Sequence, residues 1–178
     1  RIGDRLAKPG DQVSDDDSIY RDGVLLKSPG SVDVPDEVLL YHKPQGQMCS
    51  TQDPHFKDYV TDYLPDIDLG RWVMVGRLDI NTSGLLLFTT DGQLANQLMH
   101  PRYQVTRVYQ VKVSGVLDES KRLSMLRSVE LEDGSACFSA CHILQTQGYQ
   151  HLIEVRLRSG RYRLVRRLLA HHDLRVSR

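Results

Sequence analysis

Long hydrophobic runs are missing from this sequence. None approaches the roughly 20 residues that a membrane-crossing helix needs, so no membrane association is expected. No basic-then-apolar leader opens the chain, and secretion is not expected either. Cysteine is scarce. Cys49, Cys137 and Cys141 are odd in number and form no dense framework, which fits a reducing, cytoplasmic compartment rather than a disulfide scaffold. Internal repeats and low-complexity segments are absent. The chain starts on Arg1 rather than Met and stops on Arg178 straight after a strand-like LRVSR, so trimming at both ends is expected. Net charge is also missing, with 23 Lys and Arg against 23 Asp and Glu.

What is present is an ordinary globular composition, 40% hydrophobic and 26% charged, over 178 residues. That length supports one domain with a real core and a fragment of a second. The zero net charge hides a gradient. Residues 1–70 carry 7 basic against 14 acidic side chains, residues 71–150 carry 8 against 7, and residues 151–178 carry 8 against 2. The basic excess sits in RLRSGRYRLVRR, and a local patch of this kind binds phosphates even in a neutral protein. A solvated Arg-rich face is the plainer alternative.

Residues 1–34 differ from the rest. They are rich in Gly, Pro and Asp, carry short strand-like stretches such as SIYRDGVLL, and run into KSPGSVDVP, which reads as a linker. Beyond it, VLLYH (38–42) reads as a strand and KPQG (43–46) as a turn. DYVTDYLP (58–65) reads as a short helix ended by Pro65, and RWVMVGRL (71–78) and GLLLFTT (84–90) as strands. Asp91 suits the N-cap of GQLANQLMH, which stops at Pro101, and Asp118 suits that of ESKRLSMLRS. RVYQVKVSG (107–115) alternates like a half-exposed strand. SACFSACHILQ (135–145) and HLIEVRLRSG (151–160) read as paired strands around TQGYQ. RLVRRLLAHH (163–172) has helical spacing, with Leu164, Val165, Leu168 and Leu169 facing inward. Strands outnumber helices and follow one another by short turns, which predicts an α+β fold on a largely antiparallel sheet.

One run, RLDINTSGLLLFTTDG (77–92), admits three readings. Its Asp79, Asn81, Ser83 and Gly84 copy the opening of a calcium loop. The twelfth position, however, is Thr90 rather than Glu, and a strand follows where a helix belongs. The same residues favour a reversal held by local side-chain to backbone hydrogen bonds. That reading leaves open why Arg77 and Asp79 crowd the start of the turn. The third reading is a catalytic carboxylate. Elsewhere, Cys137, Cys141 and His142 lack the second ligand pair of a zinc site and read as a buried strand segment, so no metal is expected. His171 and His172 read as cations at a helix C-terminus. There is no G-x-S-x-G and no flanking carboxylate pair, so hydrolytic triads and glycosidase chemistry are not supported.

GRLDINTSGLLLFTTDG closely resembles the signature of the ribosomal-RNA pseudouridine synthases of the RsuA, RluB, RluE and RluF family. YHKPQG (41–46) resembles that family's K-P-x-G turn, DGQLANQLMHP (91–101) the helix after the signature, and Arg107-Val108-Tyr109 its basic-x-Tyr element. SGRYRLVRR (159–167) resembles its final motif, with Leu164 where the family usually carries Gln or Glu. SVELEDGSA (128–136) looks most like the RluB branch, which acts on large-subunit rRNA. The matches come in the family's order over roughly residues 37–178. Gly10-Asp11-Gln12-Val13 and Ile19-Tyr20-Arg21-Asp22-Gly23 resemble the end of an S4 RNA-binding domain. The implied organisation is an S4-like remnant plus linker at 1–34 and a catalytic domain at 35–178. The implied fold is that of the pseudouridine synthases, a largely antiparallel mixed sheet with flanking helices.

The resemblance implies isomerisation of a specific uridine in rRNA by a monomer, without a cofactor. It makes Asp79 the catalytic aspartate, Tyr109 the active-site tyrosine and Arg166 the aspartate's basic partner. A single ionised carboxylate can perform the covalent step, at the sugar C1′ or the base C6. Arg166 is expected to hold it ionised through a bidentate contact, and Tyr109 to stack on the uracil and assist loss of the C5 proton. Arg77, Thr82, Lys43, Arg161, Arg163 and Arg167 are expected to hold the flipped nucleotide and its phosphates. The alternative is a catalytically silent rRNA-binding or ribosome-assembly factor on the same fold.

Overall fold

Hydrophobic alternation, rather than helical spacing, builds most of the molecule. The computed structural model describes residues 1–14, 16–26, 36–49, 57–68 and 70–177. The expected linker at 27–35 lies outside the described residues. The strands are β1 (Ile19–Arg21), β2 (Val24–Leu26), β3 (Val38–Lys43), β4 (Val73–Val75), β5 (Gly84–Thr89), β6 (Arg107–Ser114), β7 (Val129–Leu131), β8 (Gly134–Ala136), β9 (Ala140–Gln147), β10 (Gln150–Leu157) and β11 (Arg175–Val176). The helices are α1 (Gly92–Met99), α2 (Glu119–Ser124) and α3 (Leu164–His171). The expected helix at 58–65 is a single 3-10 turn, Val60–Tyr63.

Two sheets carry the site. One has the order β3-β5-β4 and the other β11-β6-β10-β9, while β1-β2 and β7-β8 form separate hairpins. Every strand pair among the described residues is antiparallel. In β6 and β10 the alternation puts Val111 and Val113 on one face with Ile153, Val155 and Leu157. These residues form the larger core with Leu164, Leu168 and Leu169 of α3. In β3 and β5 the inward residues Leu39, Tyr41, Leu86 and Phe88 close a smaller core around Val60. The pleat extends that inward face one step further, to Lys43.

Two helix starts follow the expected capping. Asp91 accepts from the Gln93 amide at 2.7 Å, and Asp118 from the Lys121 amide at 2.7 Å. The α3 start differs, because Arg163 occupies the N-cap in the left-handed region at φ 47° with no side-chain cap. Gly115 closes β6 at φ 142°, where a Cβ would meet the Asp173 carbonyl at 2.9 Å. Glycine is therefore required where the chain after α3 passes over that turn.

SACFSACHILQ is not one strand. It breaks into β8 and β9 because Phe138, 1% exposed, dives into the larger core and gives its amide to the Met125 carbonyl at 3.2 Å. Cys141 lies in that core, as expected, but Cys137 sits half-buried in the break. The expectation that His172 caps α3 as a cation is also corrected. Burial, with His171 beside it, pushes its pKa below the ordinary 6.5, and its Nδ1 lies 3.3 Å from Ser124 Oγ.

Candidate active site

Asp79 projects from the turn between β4 and β5 into a cleft of about 840 Å³. β4 and its turn form one wall. The opposite wall comes from β6, the end of β10 and the loop leading into α3. The turn is not held by the mechanism its composition suggests. None of the Asp79, Asn81, Thr82 or Ser83 side chains makes a local backbone hydrogen bond. Lys43 does the work from beneath. Its side chain is 0% exposed, and its ammonium donates to the carbonyls of Pro44, Asp79 and Thr82 at 3.0, 3.1 and 2.9 Å. The KPQG turn adds the Gly46 amide to the Ile80 carbonyl at 2.8 Å and the Gln45 side chain to the Asn81 carbonyl at 3.1 Å. Lys43 was expected to hold phosphate, and its burial corrects that. Burial pushes its pKa below the lysine norm, while Cys49, Asp79 and Asp58 oppose the shift.

Two cations face the carboxylate. Arg163 Nε and Arg166 Nε each stand 3.7 Å from Asp79 Oδ2. The expected bidentate fork with Arg166 is absent. A pair of looser ion pairs replaces it, both on Oδ2, leaving Oδ1 without a cationic partner among the described residues. Arg163 reaches this position through its left-handed backbone, a feature that nothing in the sequence announces.

Tyr109 comes from β6, opposite Val155 of β10, and lines the cleft with its ring half-buried. Burial raises its phenol pKa above 10.0, Asp79 adds to the rise and Arg107 opposes it, so the hydroxyl stays protonated at neutral pH. Arg107 is half-buried and donates to the carbonyls of Leu98 and Val105 at 3.1 and 3.2 Å, tying the end of α1 to the start of β6. Arg77 is exposed at the cleft and Thr82 half-buried within it, both placed to meet a ligand.

Arg161 and Arg167 depart from expectation. Arg161 reaches the cleft wall, but its guanidinium donates to the carbonyls of Asp133, Gly134 and Ser135 at 2.8, 3.0 and 2.9 Å. Arg167 is no part of the cleft wall and pairs with Asp133. Neither guanidinium is free for phosphate in this conformation. Leu164, which replaces the family's usual polar residue, is 3% exposed and belongs to the larger core. Among the described residues there is no group of three or more His, Cys, Asp or Glu side chains able to hold a metal ion. No helix among them is long and apolar enough to cross a membrane.

Among the described residues the cleft therefore offers one carboxylate, two facing guanidiniums and a half-buried neutral phenol. A family model described as RNA pseudouridylate synthase matches residues 37–171. The chain is 45% identical over 174 residues to the ribosomal large subunit pseudouridine synthase B of Vibrio vulnificus (strain CMCP6), covering 97% of this chain and 54% of the relative. It is 44% identical over 178 residues to the protein of the same name from Vibrio cholerae serotype O1, covering 99% and 56%. The chain thus spans about half the length of these curated relatives. Among solved structures, a pseudouridylate synthase superposes with a TM-score of 0.69 at 24% identity, over 99% of this chain and 74% of that one. Human RNA pseudouridylate synthase domain containing 4 gives 0.56 at 17% identity, over 78% and 63%. These structural likenesses speak for the fold, and the family match, which spans the Asp79 turn, Tyr109 and the α3 arginines, speaks for lineage: the chain belongs to the RNA pseudouridylate synthase family.

Proposed function

We propose that the protein isomerises a specific uridine of ribosomal RNA, in the large subunit, to pseudouridine. The observation that carries this reading is the placement of Asp79, alone among the carboxylates of the described residues in the cleft wall, with Arg163 and Arg166 at 3.7 Å and Tyr109 on the facing wall. The reaction breaks the N1–C1′ bond, turns the uracil and forms a C5–C1′ bond. N1 gains a proton and C5 loses one, so no oxidant or external nucleophile is consumed. Asp79 is the nucleophile, with C1′ and C6 both chemically competent as its target. Arg166 and Arg163 orient its carboxylate as the site closes around a base. In this reading Tyr109 stacks on the uracil, and its hydroxyl is the group assigned to assist the C5 proton transfer. Arg77 and Thr82 are the groups left to engage the flipped nucleotide, whose extraction costs a few kcal/mol.

Residues 1–34 form, in this reading, the remnant of an S4-like RNA-binding domain plus its linker, and 35–178 the catalytic domain. The protein acts as a cytoplasmic monomer. Its large-subunit substrate is inferred from relatives named ribosomal large subunit pseudouridine synthase B.

The test uses the full-length protein and rRNA labelled with tritium at uridine C5. Wild type releases tritium to water. Asp79→Asn releases none while binding the RNA nearly as well. Tyr109→Phe keeps its RNA affinity and loses roughly 10²–10⁴-fold in rate, the range for a lost general acid–base group. Tritium release by Asp79→Asn at the wild-type rate would refute the assignment.

A further inference from the structure

Asp133 stands at the tip of the β7–β8 hairpin, outside the cleft wall, yet it receives two of the four arginines in the stretch 161–167. Arg167 grips it with both Nη atoms, at 2.7 Å to Oδ1 and 2.8 Å to Oδ2. Arg161 reaches Oδ1 at 3.2 Å and continues along the hairpin backbone through the carbonyls of Asp133, Gly134 and Ser135. Gly134 turns the hairpin at φ 101°, a backbone region that favours glycine, with Arg161 Nη1 lying 3.7 Å from where a Cβ would stand, an ordinary van der Waals contact. The other two arginines, Arg163 and Arg166, face Asp79.

We propose that Asp133 is a positioning residue for the active site: by anchoring Arg161 and Arg167 it fixes the intervening stretch so that Arg163 and Arg166 stand at Asp79. Two features of that stretch need an anchor. Arg163 holds a left-handed backbone that residues with a Cβ avoid and that persists only where the surroundings impose it. The α3 start that follows has no side-chain cap. Arg161 lies two residues before Arg163, and Arg167 lies four after it. Fixing both ends determines the path between them. The hydrogen bonds from Arg167, with Arg161 adding charge, hold the Asp133 carboxyl below its ordinary 3.8. It also sorts the charge. Without the Asp133 carboxylate, Arg167 would join Arg163 and Arg166 in competing for Asp79 and for the phosphates of the substrate, while Arg161 would keep its backbone carbonyls.

This inference rests on the proposed isomerase reading, and the experiment separates the two. Full-length wild type, Asp133→Asn and Asp133→Glu are compared for single-turnover tritium release, RNA Kd and amide hydrogen exchange. Asp133→Asn is expected to slow the step at saturating RNA by roughly tenfold to 10²-fold, the scale of a misplacement near 1 Å. RNA Kd is expected to stay unchanged. Amides of Leu164 and Arg167 are expected to exchange faster, while those of β3 and β5 do not. Asp133→Glu, which keeps the charge, recovers part of the rate. If Asp133→Asn folds poorly, the Glu variant, melting as wild type, carries the same rate test. An unchanged rate with an active wild type overturns the inference, as does tighter RNA binding at full rate, which would make Asp133 a competitor of RNA for its arginines. A silent wild type would instead sink the isomerase reading. The exchange at Leu164 and Arg167 would then decide on the anchor alone.

Discussion

At the scale of single residues, Lys43 shows how a charge can be structural. Its ammonium replaces water for three carbonyls of the site turns, and among the described residues only it and the Thr82 amide donate to the carbonyl of Asp79. Lys43→Met fills the same space and removes the donors. With the Pro44 and Thr82 carbonyls losing their donor, at about 1–3 kcal/mol for each buried acceptor left unsatisfied, the variant is expected to lose roughly 2 kcal/mol or more. Urea unfolding measures this, and a loss below about 1 kcal/mol would mean that the carbonyls find other partners. The default for a lysine is exposure, and that default misled the sequence reading. The corrective signal was present in the alternation of VLLYHK, which places Leu39, Tyr41 and Lys43 on one face. Asp133 offered no such signal, because its partners lie 28 and 34 residues away and only the folded chain brings them together.

At the scale of elements, α3 joins core and site. Leu168 and Leu169 are 0% exposed, while Arg163 and Arg166 at its start face Asp79. Leu168→Ala is expected to cost about 2–5 kcal/mol of stability, the range for truncating a buried leucine. A thermal or urea midpoint close to wild type would show that the core collapses around the gap. This helix was legible in RLVRRLLAHH because four apolar residues recur at helical spacing. The helices begun by Asp91 and Asp118 were legible from their caps. β3, β6 and β10 were legible from alternation. β7 and β8 were not, since three-residue strands carry too few positions to show a period. The break at Phe138 was hidden because an aromatic residue fits a strand as well as it fits the core insertion that occurs here. The site turn was found by motif, but its support was misread: Asn, Thr, Ser and Gly pointed to local bonds that the structure replaces with Lys43.

At the scale of the whole molecule, the basic end of the chain is not a free phosphate patch. Four of its arginines, Arg161, Arg163, Arg166 and Arg167, are divided between two carboxylates, Asp79 and Asp133, and so part of the charge gradient seen in sequence becomes internal order. Global stability is expected to depend on pH through His172. Its pKa is lowered by burial in the folded state, so on acidification the unfolded chain takes up a proton near pH 6.5 that the folded chain resists. The stabilisation is therefore full above about pH 6.5 and declines as pH falls below it. The urea midpoint should drop between about pH 7 and pH 5.5 in wild type and drop less in His172→Asn. Equal slopes would exclude His172 as the source.

The central claim is that Asp79 converts one rRNA uridine to pseudouridine. Its most direct test is to map pseudouridines in rRNA from cells lacking the gene, by carbodiimide labelling and primer extension, with full-length wild type or Asp79→Asn restored. The account predicts that one large-subunit site disappears in the deletion, returns with wild type and stays absent with Asp79→Asn. If no site changes, or if Asp79→Asn restores it, then Asp79 is a turn residue and the cleft binds RNA without remaking it.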